Sequence, residues 1–167
     1  GAFEVLSYEF DLTALMAASS GGSTGKTTIS PLIVDLAVTA GLADLLQNAA
    51  SGKHIPTVTF TARKAGDNPF EYQTITLTDV KILGYEEKAG FATRVALGYD
   101  KIEVKVTEQE ADGSRGETHT FTHDLDLSAG ELAPLAPGAL DPVLEVDAQA
   151  EYFLKLDGIV GSSADED

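Results

Sequence analysis

Apolar and polar residues alternate with a period of two along most of this chain, the signature of half-buried β-strands. In "KIEVKVTE", Ile102, Val104 and Val106 face one way and Lys101, Glu103, Lys105 and Thr107 the other. "TVTFTAR" sets Val58, Phe60 and Ala62 against Thr57, Thr59 and Thr61, and "SPLIVDLAV" predicts an inward row of Leu32, Val34, Leu36 and Val38. "AFEVLSYEF", "EYQTITLTDVKIL", "FATRVALGY", "ETHTFTH" and "AEYFLKLDG" are rich in β-branched and aromatic residues, and turn residues bound most of them. One segment departs from this pattern. In "TAGLADLLQNAASG", Leu42, Leu45, Leu46 and Ala49 recur at helical spacing, which predicts a short helix over about 41–51. Thr39 is placed to cap its start and Gly52 to close its end in a left-handed turn. About eight closely spaced strands and one helix make the chain mainly β, a closed or nearly closed antiparallel β-barrel with one short α-helix.

Residues 125–149 interrupt the alternation. This stretch holds Pro134, Pro137 and Pro142 and no basic residue, and proline blocks both helix and central strand. It reads as an extended connector whose leucines could dock on a surface. Beyond it come one more strand, about 150–160, and an acidic tail, 161–167.

Composition narrows the function classes. A chain of 167 residues suits a single domain. With no cysteine it forms no disulfide and no cysteine zinc site, and it gives no clue to the redox compartment. The formal charge of −16 argues against binding nucleic acid or an anionic membrane surface. It is accounted for by solubility or, more sharply, by a basic partner. No apolar run is long enough to span a bilayer, and no basic-then-apolar leader is visible. A start at Gly1 without methionine fits a processed, trimmed or rebuilt chain.

Candidate chemistry is sparse. "SSGGSTGKTTIS" suggests a phosphate-binding loop, but that motif needs a glycine five residues before Gly25, where Ser20 stands, and a helix after it. Here Lys26-Thr27-Thr28 leads to Ile29-Ser30-Pro31 and a strand, so spacing and context both fail. The stretch instead reads as a hairpin loop joining two strands. His119 and His123 are four apart on a strand, roughly 13 Å, too far to share one ion. No carboxylate pair, nucleophile elbow or calcium loop is recognisable, so no catalytic, cofactor or metal residue is assigned. Gly52-Lys53-His54 is either a helix stop or part of an interface.

The centre of the chain, "LLQNAASGKHIPTVTFTARKAGDNPFEYQTITLTDVKI", resembles Hcp, the tube protein of type VI secretion systems. The resemblance rests on Ser51 to His54 at a helix end, Arg63 to Gly66 at a strand end, and Glu71-Tyr72 opening an alternating strand. "RVALGYDKIEVKVTEQEADGSRGETHTFTHDL" resembles the family's paired strands, with Gln109, Asp112 and Gly113 in its turn. "FEVLSYEF" resembles its Val-Leu-Ser strand, and "GGSTGKTTIS" falls on its long glycine-rich loop, so the resemblance runs from residue 1 to about 124. One piece is displaced: the family's opening strand, "YFLKIDGIxGES", has its counterpart here at 152–167, "YFLKLDGIVGSSADED". A circular permutation, a frame cut from a tandem array, or a strand donated to a neighbouring copy would each explain this. A connector of about 25 residues reaches roughly 80 Å, twice the width of such a domain, so both cis and trans insertion are open.

The resemblance implies a structural, non-enzymatic subunit without cofactors, whose main partner is itself. Homohexameric rings would stack into a hollow tube expelled by a contracting sheath, with sheath, spike or cargo proteins as further partners. Assembly would be cytoplasmic, with secretion independent of a signal peptide. It also implies the interface residues: Ser20, Gly21, Gly22, Gly25 and Lys26 in the loop facing the next ring, Lys53 and His54 at the helix end, and Tyr152, Leu154 and Leu156 on the displaced strand. Two other readings stay open. One is an Hcp-like domain of an extracellular polymer or tandem array. The other is a β-sandwich ligand-binding module, which the lack of tryptophan disfavours.

Overall fold

The computed structural model describes residues 2–15, 26–87, 93–135, 138, 140 and 150–159. Ten strands and one helix lie within them: β1 (Phe3–Glu9), β2 (Leu12–Leu15), β3 (Lys26–Ile29), β4 (Leu32–Leu36), α1 (Leu42–Ser51), β5 (Ile55–Lys64), β6 (Glu71–Glu86), β7 (Thr93–Gly98), β8 (Lys101–Gln109), β9 (Arg115–Asp124) and β10 (Ala150–Leu156). The expected fold class, mainly β with one short helix, is the one observed.

Eight of the strands form one sheet in the order β5-β10-β1-β4-β7-β6-β8-β9, and β5 also pairs with β6. That last pairing closes β5, β10, β1, β4, β7 and β6 into a ring, all antiparallel. β6 is long enough to hold two partners in succession along one edge, β8 at Gln73–Thr78 and β7 at Lys81–Glu86. The β8–β9 hairpin therefore extends the wall outside the ring, and among the described strands β9 pairs only with β8. The short pair β2–β3 is antiparallel, as the hairpin reading of the glycine-rich stretch requires.

Alternation becomes burial inside the ring. Val58, Phe60 and Ala62 of β5, Phe3 and Val5 of β1, and Leu154 and Leu156 of β10 all point into one core. Each fully buried side chain of this size contributes roughly 1.5–3 kcal/mol. Helix α1 lays Leu42 and Leu45 on that core, but Leu46 is half exposed. Its N-cap is Gly41 rather than Thr39. The Thr39 carbonyl accepts from the Leu42 amide, while its hydroxyl is buried with no partner among the described residues. Gly52 does end the helix in the left-handed conformation, with φ 67°.

Three row assignments need correction. β4 ends at Leu36, and Val38 is 69% exposed because the chain has already turned toward α1. Within β4 the burial does not alternate at all: Ile33 and Asp35 are covered as well as Leu32, Val34 and Leu36. In β8 Ile102 is fully buried, whereas Val106 is exposed and Thr107, expected on the outward row, is buried against Thr118, because that end of the hairpin lies beyond the ring.

The 125–149 segment is more than a tether. Asp126 caps a 3₁₀ turn at Leu127–Ala129. Glu131 and Ala133 then exchange backbone hydrogen bonds with Ile29. Leu135 and Leu140 reach the outer side of β6, where both approach Gly84.

Candidate assembly surfaces

β10 is the element on which the ring depends. It lies between β1 and β5, with Phe3 opposite Leu154 and Phe60 opposite Leu154 on the other side. Leu154 and Leu156 are 0% and 1% exposed, so within the single chain they are core residues and not a free surface. The half-buried Tyr152 stacks on Phe60 with ring centroids 5.8 Å apart and meets Tyr8 edge-on at 5.2 Å. On the outer side of the same seam, Arg63 Nε donates to Glu151 Oε2 at 2.8 Å, and the Arg63 guanidinium lies 4.6 Å from the Phe153 ring centroid. The alternating sequence gives the inner contacts. The outer clamp depends on the register that brings Arg63 opposite Glu151.

Lys53 and His54 come together with the end of β10. Asn48, Lys53, His54, Ile55, Pro56, Asp157, Gly158 and Ile159 line a groove of about 290 Å³. His54 Nδ1 lies 2.8 Å from Asp79 Oδ1 across β5 and β6. Asp79 has a left-handed backbone, φ 52°, at the point where β6 passes from partner β8 to partner β7. Burial, followed by the neighbouring Asp79 and Asp124 charges, pushes the Asp100 carboxyl above the ordinary range. No spacing in the sequence announces this cluster, because three strands bring it together.

Ser20, Gly21, Gly22 and Gly25 lie outside the described residues. Lys26 opens β3 opposite Leu15. The Gln109–Gly113 turn is present: Gln109 Nε2 donates to the Gly113 carbonyl, and Asp112 accepts from the Ser114 amide and hydroxyl. Those two bonds hold the Asp112 carboxyl below its ordinary range. His119 and His123, both on β9, have separate partners: Glu108 of β8 at 3.7 Å and Glu131, beyond the 3₁₀ turn, at 3.3 Å.

A buried ionic network was not anticipated. Arg94 on β7 is 3% exposed. Its Nη2 lies 3.0 Å from Glu9 Oε2 on β1 and its Nη1 3.3 Å from Asp35 Oδ2 on β4, and Ser7 also donates to Asp35. Its trace in the sequence is a single charge inside each of two apolar strands, "LIVDL" and "TRVALG". At the other end of the β4–β7 pair, Tyr99 donates to the Ser30 carbonyl at 2.7 Å, and burial raises the pKa of its phenol.

These features define an antiparallel β-barrel whose notable groups lie at seams, strand edges and outer faces. Residues 1–106 match the family model described as "Type VI secretion system effector, Hcp", and the chain belongs to that family. It is 30% identical over 98 residues to Protein hcp1 of Pseudomonas aeruginosa, an alignment covering 54% of this chain and 59% of the relative; the chain thus spans about three-fifths of that relative. Hcp1 from Salmonella typhimurium is similar in structure, with a TM-score of 0.56 and 26% identity over 72% of this chain and 78% of the other. A type six secretion system protein of known structure shares the fold at a TM-score of 0.64 and 19% identity, over 72% of this chain and 81% of the other. The family match stops inside β8, so β9 and β10 enter the sheet from beyond it.

Proposed function

We propose that the chain is a structural subunit that assembles with copies of itself into rings, and that the rings stack into a hollow tube, as in type VI secretion. Family membership is the observation that carries this reading. The fold supports it. Among the described residues β9 is paired on one side only, and the half-exposed Val106 and Phe121 continue the barrel's apolar face onto the protruding hairpin. An unpaired edge with apolar flanks is a template for another chain. A ring further requires two different complementary surfaces per subunit.

In this reading the ring is hexameric, and the loop that includes Ser20, Gly21, Gly22, Gly25 and Lys26 meets the next ring. The Lys53–His54 groove forms part of an inter-subunit contact. β10 takes the place of the strand that the family carries ahead of its Val-Leu-Ser strand. The protein works without catalysis: assembled in the cytoplasm, it is exported with the tube and touches sheath, spike and cargo. Negative-stain electron microscopy with sedimentation velocity over a wide concentration range tests this. Rings or stacked tubes are expected, and a monodisperse monomer at every concentration would overturn it.

A further inference from the structure

The outer side of the β10–β5 seam carries a slot. Thr59, Thr61 and Arg63 follow one another at alternate positions of β5, and register sets Lys155, Phe153 and Glu151 opposite them on β10. Thr59, Thr61, Arg63, Phe153 and Lys155, with Ala2 and Glu71 at the margins, line about 310 Å³. A pocket of that size suits a small ligand or a short stretch of chain. The Lys155–Thr59 pair at one end stands four positions from the Glu151–Arg63 pair at the other, roughly 13 Å along the strands.

The two cations of the slot differ. Arg63 is engaged: its Nε donates to Glu151 at 2.8 Å, and its guanidinium lies 4.6 Å from the Phe153 ring centroid, which fixes that ring as a wall. Lys155 is exposed and has neither an ion pair nor a hydrogen bond among the described residues, and the same holds for the hydroxyls of the half-buried Thr59 and Thr61. The charges around the slot are selective. Glu71 closes the far end and Glu4 stands opposite Phe153 on β1, so a second negative charge on a ligand would meet a carboxylate. A cationic ligand would find Phe153 already facing a guanidinium. What fits is one carboxylate at the Lys155 end, followed by an uncharged stem. The hydroxyls of Thr59 and Thr61 repeat at about 6.6 Å, which is also the two-residue repeat of an extended peptide. Three residues of such a chain span about 10 Å, a match to the slot.

We propose that this slot binds the C-terminus of an extended peptide. The terminal carboxylate pairs with the Lys155 ammonium, backbone amide groups meet the Thr59 and Thr61 hydroxyls, and an apolar side chain near the end packs on Phe153 and Ala2. Every group involved belongs to one barrel, so the proposal stands apart from the ring-forming reading and is tested separately from it.

Fluorescence anisotropy of the peptide Ala-Ala-Phe, dye-labelled at its N-terminus, reads binding to the full chain in any oligomeric state. The free acid is compared with the same peptide closed as a C-terminal amide. The acid is expected to bind about tenfold more tightly, because the amide forfeits a charge-assisted hydrogen bond. Lys155→Met should bring the acid down to the affinity of the amide, and Lys155→Arg, which keeps the charge, should preserve most of the preference. Lys155 faces outward, so neither change disturbs the core. Thr59→Val, a β-branched replacement without the hydroxyl, should weaken both peptides severalfold. Lys53→Met, an exposed lysine outside the slot, should leave the preference intact. Equal affinity for acid and amide, a preference that survives Lys155→Met, or no saturable binding at millimolar peptide would each overturn the proposal. So would displacement of the peptide by an equal concentration of phenylacetate, because the slot would then hold a carboxylate without reading a chain.

Discussion

Truncating Leu154 to alanine tests whether β10 closes the barrel. Leu154 is 0% exposed and pairs with Phe3 on one side and Phe60 on the other, two of the largest fully buried side chains. With both neighbours locked in paired strands, the site has little freedom to collapse around the loss. The cost should therefore sit in the middle of the range for leucine-to-alanine changes in well-packed cores, about 3–4 kcal/mol. For a domain of this size each kcal/mol lowers the melting temperature by roughly 2–4 °C, so a fall of about 10 °C is expected. Lys155→Ala, one residue on and facing outward from the same strand, should stay within about 0.5 kcal/mol of the parent. Urea unfolding followed by circular dichroism, together with thermal melts at two protein concentrations, reads both variants. If Leu154→Ala and Lys155→Ala melt within a degree or so of each other, β10 does not fill the slot between β1 and β5, and the reasoning fails.

Two more outcomes follow from the charged groups. Arg94→Met should cost about 3–5 kcal/mol, because it leaves the buried Asp35 carboxylate without its cation, whereas Arg94→Met combined with Asp35→Leu should recover much of that loss; equal denaturation midpoints for the single and double variants would refute the pairing. The raised Asp100 pKa means that the fold keeps a proton the unfolded chain has already released, so stability falls as pH rises from the ordinary aspartate range through the raised folded value. Asp100→Asn should therefore gain on the parent in melting temperature above that window and match it below, and a gap that stays constant from about pH 3 to about pH 7 would contradict this.

How far the fold could be read from the residues depended on where each contact originates. Val58, Phe60 and Ala62 face the core as their alternation requires, since a strand's period is enough to fix its faces. Gly52 closes α1 as expected because a left-handed turn selects glycine locally. Val106 and Leu46 defeat the same reasoning. Period identifies a face but not how far the neighbouring wall extends over it, and both lie where that cover ends. The β2–β3 pair is too short to leave a pattern beside a glycine-rich loop. The candidate surfaces were harder still. Lys53 and His54 were noticed through the family resemblance, but their partner Asp79 and their neighbours at the end of β10 are set by strand register. Gly84 attracted no notice, because the leucines that need its missing side chain stand about fifty residues later.

The place of β10 in the ring has a consequence for biogenesis. Its hydrogen bonds join it to β5, with Arg63 and Glu151 separated by 88 positions, and to β1, further back still. Translation delivers the chain in order, so both flanking strands emerge long before the piece that joins them. Until then β1 and β5 lack the pairing that β10 gives them, and Phe3 and Phe60 lack the cover of Leu154. Closure must wait for the ribosome to reach residue 156, and such late, long-range pairing is slow. In that interval the exposed strand edges and apolar side chains favour aggregation.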